Sequence, residues 1–265
     1  MTKVSIITIN LNNKEGLERT IRSVIEQTYA DYEYIVIDGG STDGSIQVIK
    51  QNQSKITHWI SEKDTGIYNA MNKGISMAKG EYCLFLNSGD YLVSSEIITK
   101  VFSKNYVEDI LYGELIFDFG EGRKDIAKLP EKLDNTYLYN DNIWHPATFI
   151  KRLLLQSVGG YNEKYNIAAD YDFFFNVIGA KKVNCKYLPY PITVYDTMGV
   201  SSLPRNMPQI ISEREAIHQT YLKKDEIEYL ENLKKFKKPG LALWLVNKPI
   251  FTRVAGLLQR FYIIK

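Results

Sequence analysis

Cysteine is scarce in this chain of 265 residues, which contains only Cys83 and Cys185. Two cysteines cannot build a disulfide framework or a thiolate zinc site, so the sequence favours a reducing compartment. Cys83 lies in an apolar run and is expected to be a small buried side chain. A chain of this length can bury a full core as one large domain, or as one domain with an appendage.

The sequence also lacks a long hydrophobic run and an excess of either charge. No apolar stretch approaches the roughly 20 residues that a membrane-spanning helix needs. The first residues read as a strand and have no signal-peptide layout. With 33 Lys and Arg against 31 Asp and Glu, the formal net charge is +2, so no nucleic-acid partner is expected. We expect a cytoplasmic protein that contacts a membrane, if at all, peripherally on its inner face.

Strand and helix patterns alternate along the first part of the chain. Short β-rich runs occupy residues 4–9, 34–37, 57–60 and 82–86. Apolar residues at helical spacing occupy 17–28, 46–49 and 67–79. This alternation predicts an α/β fold with a Rossmann-like, mostly parallel central sheet flanked by helices.

The pattern changes after residue 105. Residues 110–117 are predicted to form a strand, residues 170–178 a short helix, and residues 208–238 one or two charged helices. We therefore divide the chain into a main domain at 1–205, with halves at 1–104 and 105–205, and a helical C-terminal extension at 206–265.

Polar residues follow each of the first four predicted strands. They are Thr8 and Asn10, then Asp38, then Glu62 and Asp64, and finally Asn87 and Asp90. Such residues also end strands for purely structural reasons, because they favour turns. Four coincident sites at the edge where parallel sheets bind ligands make that explanation insufficient.

The turn Asn87-Ser88-Gly89-Asp90 is the strongest of these sites. Mn²⁺ or Mg²⁺ takes one or two protein oxygens and completes its shell with phosphate and water. Asp90 is the natural metal ligand, whereas Asn87 is suited to donate to a phosphate or to hold a metal-bound water. After the second strand, Asp38 is placed to meet a nucleobase or ribose, and its glycine neighbours let backbone approach a ligand closely.

Several separated motifs, in order, resemble the family 2 glycosyltransferases, which have a GT-A fold. The resemblance covers about residues 3–200 and rests on residues 4–10, 38–45, 64–74, 87–90, and the acceptor-side runs Trp144-His145-Pro146, 159–163 and 168–173.

The resemblance implies an inverting transfer of a sugar from a nucleotide diphosphosugar, with a UDP-sugar favoured. It implies that Thr8, Asp38 and Asp64 bind the nucleoside and that Asp90 binds the metal and diphosphate. Asp170 becomes the general base, residues 1–104 the donor half and residues 105–205 the acceptor half. The implied acceptor is a glycan or a polyprenyl-diphosphate-linked sugar in surface polysaccharide synthesis.

This chain departs from the family pattern at two places. The usual acidic DXD triplet reads Asn87-Ser88-Gly89 here, so Asp90 is the one carboxylate of the turn. The Asp of near relatives is replaced by Asn69, which excludes a carboxylate role at that position. With so few acidic groups, we expect modest metal affinity.

Several further residues are open to two interpretations. Asp170 and Asp172 lie at a predicted helix start, where the helix dipole favours ionised carboxylates. We assign Asp170 to catalysis and Asp172 to support, although either is a plausible helix cap. His145 is suited to touch diphosphate, metal or acceptor, or to be a structural histidine. Lys73 is expected near phosphate, or as a solvated helix lysine, and Ser201 resembles part of a loop that closes on the donor.

Residues 239–265 differ from the rest of the chain. Trp, Phe and Leu alternate with Lys248, Arg253 and Arg260, and Pro249 interrupts any helix. This composition suits a helix in a membrane interface. It also suits packing on its own domain or on a partner subunit, which leaves a homo-oligomer open.

Two other functions compete with glycosyl transfer. A nucleotidyltransferase shares the general fold, but no Gly-rich loop bearing Lys or Arg follows the first strand. A non-catalytic scaffold that binds nucleotide or glycan is the second alternative, because the turn at residues 87–90 carries so little acid.

Overall fold

The computed structural model describes residues 2–120, 122–199 and 202–236. Its nine strands within these residues are β1 (Val4–Asn10), β2 (Tyr32–Asp38), β3 (His58–Ser61), β4 (Tyr82–Asn87), β5 (Tyr91–Leu92), β6 (Ile110–Asp118), β7 (Lys124–Ala127), β8 (Thr148–Lys151) and β9 (Cys185–Asp196). The helices are α1 (Lys14–Ile25), α2 (Ser45–Gln51), α3 (Ile67–Met77), α4 (Ile97–Val101), α5 (Asn135–Asn140), α6 (Arg152–Ser157), α7 (Ala169–Phe174), α8 (Met207–Tyr221) and α9 (Lys224–Phe236).

The strands form one sheet in the order β3-β2-β1-β4-β8-β6-β9-β5, with β7 paired to β6. The first four strands of the chain, in the spatial order β3, β2, β1 and β4, are parallel, as predicted. The acceptor half is mixed, because β8 runs antiparallel to both β4 and β6 while β9 runs parallel to β6. The predicted parallel character therefore holds in the first half and gives way to mixed pairing in the second.

Burial explains the apolar character of the central strands. Every residue of β1 is buried, as expected for a parallel strand covered by helices on both faces. On one face, Leu17, Ile21 and Val24 of α1 join the same apolar cluster as β1, β2 and β4. Asn10, Asp38 and Asn87 are the last residues of β1, β2 and β4, whereas Ser5 and Glu33 pair with each other near the amino ends.

Two segments of the acceptor half have helical geometry other than α. A 3-10 turn, His145–Ala147, precedes β8 and packs against β4. The helix predicted at 170–178 begins as α7 and continues as a π-helical segment, Phe175–Ala180. The first of these turns carries a histidine of the candidate site.

The chain divides into two compact units, Met1–Gly199 and Val200–Lys265. In the second unit, a 3-10 turn at Pro204–Asn206 leads into α8, and α9 packs against α8. The segment predicted to contact membranes, 239–265, lies outside the described residues. None of the helices in the described part of the chain has both the length and the apolarity needed to cross a bilayer.

Candidate active site

Asp38, at the end of β2, is the centre of a buried hydrogen-bond network. Its Oδ1 accepts from Asn10 Nδ2 at 2.7 Å and from the Ser41 hydroxyl at 2.6 Å, and its Oδ2 accepts from the Ser61 hydroxyl at 2.6 Å. Burial raises the pKa of Asp38, but these hydroxyl and amide donors outweigh it and hold the pKa below its ordinary value. The carboxylate therefore ties together the ends of β1, β2 and β3.

Thr8 is placed differently from the prediction that it faces a nucleoside. Its side chain is fully buried, and its hydroxyl accepts a hydrogen bond from Tyr34 at 3.0 Å. The hydroxyl is thus committed to the core, and the nucleoside contact stays a prediction. Asn10, two residues further along β1, is also buried, but its Oδ1 has no hydrogen-bond partner.

Lys73 of α3 neutralises the acidic residues that follow β3. Its Nζ lies 2.5 Å from Asp64 Oδ1 and 2.8 Å from Glu62 Oε1. Desolvation lowers the pKa of Lys73, but the hydrogen bonds that Lys73 donates to Asp64 and Glu62 dominate and raise it. A Cβ added at Gly39 would come 2.9 Å from Asp64 Oδ2. Glycine at this position therefore lets the Asp38 loop approach Asp64.

The turn at residues 87–90 is fixed from several directions. Asp90 is 2% exposed, and its two oxygens accept from the backbone N–H groups of Asn87 and Asp196, at 3.2 and 3.0 Å. The carbonyl oxygen of Ser88 accepts from Asn13 Nδ2 at 2.8 Å. Burial raises the pKa of Asp90 to about 7, although the Asp196 N–H and nearby His145 oppose the shift. Burial therefore moves the titration of this carboxyl towards neutral pH.

The residues of this turn fit a cation that takes few protein ligands. Asp90 offers a buried carboxylate, and the Oδ1 of Asn87 is a buried oxygen without a hydrogen-bond partner. Within the described ranges, no group of three or more His, Cys, Asp or Glu side chains stands ready to hold a metal. A Mn²⁺ or Mg²⁺ ion bound here would take most of its shell from phosphate and water.

Asp196, at the end of β9, is a neighbour of this turn that the sequence analysis did not identify. Its carboxylate accepts from Arg19 at 3.0 Å and from the Met198 N–H at 2.9 Å. A Cβ at Gly89, whose φ is +113°, would stand 2.8 Å from Asp196 Oδ2. Asp196 ends a strand, as the other polar residues of the site do. The sequence does not reveal its contact with the turn because more than a hundred residues separate the two.

Asp170 lies in the first turn of α7 with donors at both carboxylate oxygens. Oδ1 accepts from the Tyr68 hydroxyl at 3.0 Å and from the Tyr171 N–H at 2.8 Å. Oδ2 lies 3.1 Å from His145 Nδ1 and 3.4 Å from Asn142 Nδ2. Burial raises the pKa of Asp170, but the hydrogen bond and charge of His145 help to hold it below the ordinary value. The group is therefore ionised at neutral pH.

His145 connects the base candidate with the turn at residues 87–90. Its Nε2 lies 3.4 Å from Asn87 Nδ2, on the other side of the ring from Asp170. The structure thus brings together Asn87, Asp90, His145 and Asp170 from three distant segments. Asp172 instead lies near Asn162, whose Nδ2 is 3.4 Å from Asp172 Oδ2. Ser201 lies outside the described residues.

The fold defines the class of the protein. S. aureus TarS, residues 1–349, in complex with UDP-GlcNAc superposes with a TM-score of 0.64 at 16% identity, covering 86% of this chain and 70% of that one. The mannosyltransferase PcManGT from Pyrobaculum calidifontis, in complex with GDP-Man and Mn²⁺, gives a TM-score of 0.60 at 13% identity over 99% and 88%. The chain has the fold of GT-A glycosyltransferases, as predicted.

Sequence similarity shows the family. The model described as Glycosyl transferase family 2 matches residues 5–151, and the chain belongs to this family. A PGL/p-HBAD biosynthesis glycosyltransferase of Mycobacterium bovis (strain BCG / Pasteur 1173P2) is 30% identical over 208 residues, 74% of this chain and 77% of the relative. An uncharacterized glycosyltransferase of Mycobacterium tuberculosis (strain CDC 1551 / Oshkosh) is 32% identical over 215 residues, 75% and 77%. The protein is a glycosyltransferase.

Proposed function

We propose that this glycosyltransferase transfers one sugar, with inversion, from a nucleotide diphosphosugar to a glycan or polyprenyl-diphosphate-linked acceptor in surface polysaccharide synthesis. One observation carries the proposal. The two nitrogens of His145 lie next to Asn87, on the turn suited to a diphosphate, and next to Asp170, an ionised carboxylate. A direct displacement needs a base and a leaving-group site on opposite faces of the anomeric carbon, and His145 keeps candidates for both groups close together.

On the donor side, a UDP-sugar is the favoured substrate. The nucleoside would lie along the edge formed by Asn10, Asp38 and Asp64, whose positions are fixed by the network of Asp38 and by Lys73. The solved relatives support a nucleotide donor, because TarS was crystallised with UDP-GlcNAc and PcManGT with GDP-Man. Lys73 adds a positive charge near this edge, although two carboxylates already balance it.

Asp90 would hold a Mn²⁺ or Mg²⁺ ion, and Asn87 would hold one of its waters. The unpartnered Oδ1 of Asn87 favours this role over donation to a phosphate, since its Nδ2 already faces His145. When bound, such an ion neutralises the charge that develops on the departing diphosphate. PcManGT, which was solved with Mn²⁺, is consistent with this assignment.

Asp170 is the proposed general base. As the oxygen of the acceptor hydroxyl bonds to the anomeric carbon and the bond to the diphosphate breaks, Asp170 takes the hydroxyl proton. A single displacement of this kind inverts the anomeric configuration. The Asp170 side chain is 14% exposed, and its long contact with Asn142 is the one that an incoming hydroxyl can most readily replace.

A panel of UDP- and GDP-sugars tests the proposal, with thermal shift and release of nucleotide measured with and without Mn²⁺. We expect stabilisation by one nucleotide in a Mn²⁺-dependent manner, slow hydrolysis of its sugar donor, and a product of inverted configuration by NMR. Binding without hydrolysis or transfer for every donor and glycan acceptor would instead identify a non-catalytic scaffold, which the single carboxylate of the turn would explain.

A further inference from the structure

His145 stands between the two ends of the proposed reaction. It occupies the first position of the 3-10 turn that packs against β4, and its side chain is 13% exposed. Its Nδ1 lies 3.1 Å from Asp170 Oδ2, and its Nε2 lies 3.4 Å from Asn87 Nδ2. Both ring nitrogens therefore have protein partners.

The partners determine how the protons are placed in this chain of contacts. An ionised carboxylate only accepts hydrogen bonds, so Nδ1 carries the proton that points to Asp170. In the tautomer protonated only at Nδ1, Nε2 is an acceptor, and it faces the NH₂ group of Asn87. This orientation turns Asn87 Oδ1 away from the ring, where it is buried without a partner. This set of hydrogen bonds leaves one acceptor, Asn87 Oδ1, without a partner at the turn.

We infer that His145 is a positioning residue that links the donor turn to the base, through Asn87 on one side and Asp170 on the other. The inference rests on the proposed function. The Nδ1–H group of His145 aims Asp170 Oδ2 at the acceptor hydroxyl, and the NH₂ group of Asn87 holds the ring at Nε2. Asn87 Oδ1 then faces away from the ring, where it could accept from a water of the donor's metal ion.

The hydrogen bond from Tyr68 fixes one oxygen of Asp170 but not the other. The Tyr68 hydroxyl and the Tyr171 N–H hold Oδ1 of Asp170, which leaves rotation about the carboxylate axis to be fixed at Oδ2. At Oδ2, the contact with His145 is shorter than the contact with Asn142. His145 is therefore the group that sets the direction of the oxygen that receives the proton.

Two substitutions separate the two sides of the ring. The amide of asparagine is attached where the imidazole carries Nδ1, and the amide of glutamine reaches the place of Nε2. His145→Asn thus keeps a donor for Asp170 and loses the link to Asn87, whereas His145→Gln does the reverse. Both variants are assayed for kcat and KM with the active sugar nucleotide, and for the Kd of UDP with Mn²⁺ by calorimetry.

We expect opposite patterns from the pair. His145→Gln should lower kcat by about 10²-fold, in the range of a misplaced general base, with the Kd of UDP unchanged. His145→Asn should keep kcat within about tenfold of the wild type and weaken UDP binding several-fold. Equal losses of kcat in the two variants, or wild-type kcat in both, would overturn the inference.

Asn87→Ala provides a second route if either histidine variant fails to fold. Combined in a double-mutant cycle with His145→Asn, it should lower kcat by a smaller factor than in the wild-type background, because the link is already broken. Independent, multiplicative losses would contradict the coupling. A wild-type protein that neither hydrolyses nor transfers any sugar nucleotide would instead refute the proposed function, and the UDP titrations would then show whether the donor side survives.

Discussion

At the scale of single residues, the two carboxylates of α7 have different surroundings. Asp170 is held between Tyr68 and His145, while Asp172 is 6% exposed and lies near Asn162. We expect Asp170→Asn to lower transfer about 10²-fold or more, because a neutral amide cannot accept the proton. The Kd of the nucleotide should change little, since the base acts mainly in the transition state.

Asp172→Asn is the matched control for this prediction. It removes the same charge two residues away, in the same helix, and should leave most of the activity. Rate constants for both variants, with circular dichroism as a check on folding, would decide the assignment. The opposite ranking would place the base at Asp172.

Asp90 gives a second prediction at the residue scale, for protein without metal. The folded protein holds the proton of this carboxyl up to a pKa of about 7, whereas the usual value is 3.8. Stability should therefore fall as pH rises between these values, because the unfolded chain releases the proton earlier. The total loss of unfolding free energy over this pH range amounts to a few kcal/mol at most. Thermal melts from pH 4.5 to 8 in EDTA would measure it.

Asp90→Asn supplies the control and should flatten this part of the pH profile. Addition of Mn²⁺ and UDP should stabilise the wild type more at pH 8 than at pH 5.5, since the cation competes with the proton. Asp90→Asn should also lose most activity and the Mn²⁺-dependent part of donor binding. Near-wild-type turnover in this variant would remove Asp90 from the metal site.

At the scale of secondary structure, α3 joins the donor half to the acceptor half. Tyr68 contacts Asp170, and Lys73 contacts Asp64. Asn72 exchanges two hydrogen bonds with the backbone of Tyr161, each 2.8 Å long, and donates a third to Glu163. One helix thus holds groups from both sides of the proposed reaction.

Asn72→Ala should destabilise the protein by about 2–3 kcal/mol, at about 1 kcal/mol for each hydrogen bond lost. Asn69→Ala is the control, because Asn69 donates to the same Glu163 at 3.0 Å and otherwise accepts only a long contact of 3.4 Å from the Thr65 N–H; it should cost about 1 kcal/mol. Urea denaturation would measure both. We also expect Asn72→Ala to raise the KM of the acceptor more than that of the donor.

The elements that the sequence predicted well are those set by local patterns. The four parallel strands, α1 and α3 follow from apolar periodicity, and the polar edge follows from the residues after each strand. The short β5, β7 and β8 leave little periodic pattern, and β9 contains Pro189 and Pro191, which obscure a strand. Their pairing joins segments far apart in sequence, so local patterns carry no record of it.

The candidate site was likewise predictable only where local sequence patterns mark its residues. Asp90 and Asp170 were identifiable because strand ends and a motif mark them. The contacts of His145 with Asn87, and of Asp196 with the turn, depend on long-range pairing of β4, β8 and β9. The sequence named the side chain of His145 but left its partner open, since a histidine beside Trp144 and Pro146 suits several roles.

At the scale of the whole molecule, the C-terminal segment carries the prediction of membrane contact. Residues 239–265 combine aromatic and aliphatic residues with Lys248, Arg253 and Arg260. We propose that they bind anionic membranes, with about 1 kcal/mol from each Lys or Arg near the surface. Sedimentation with anionic liposomes should therefore show binding that weakens with salt.

A chain ending before Pro239 should stay in the supernatant and keep its affinity for UDP and Mn²⁺, because the donor residues all lie before residue 91. Neutral liposomes serve as the control surface. A full-length protein that ignores anionic liposomes at low salt would contradict the proposal. Loss of folding on truncation would show instead that the segment supports the protein or a partner subunit.

The seam of the sheet, where β4 pairs with β8, has a consequence for how hybrid enzymes can be built. Among the described strands, β4 pairs with β8 only at Tyr82 and Cys83, although it pairs with β1 as far as Asn87. The turn that begins at His145 packs against β4 beyond the seam. Strands β3, β2, β1 and β4 form a ladder of their own, so the neighbouring half can be exchanged if the contacts that cross the seam, β5 with β9 and Asp90 with Asp196, are kept. Hybrid enzymes joined at this seam should retain nucleotide recognition and take on the acceptor range of the new half, provided that a histidine is kept at the junction.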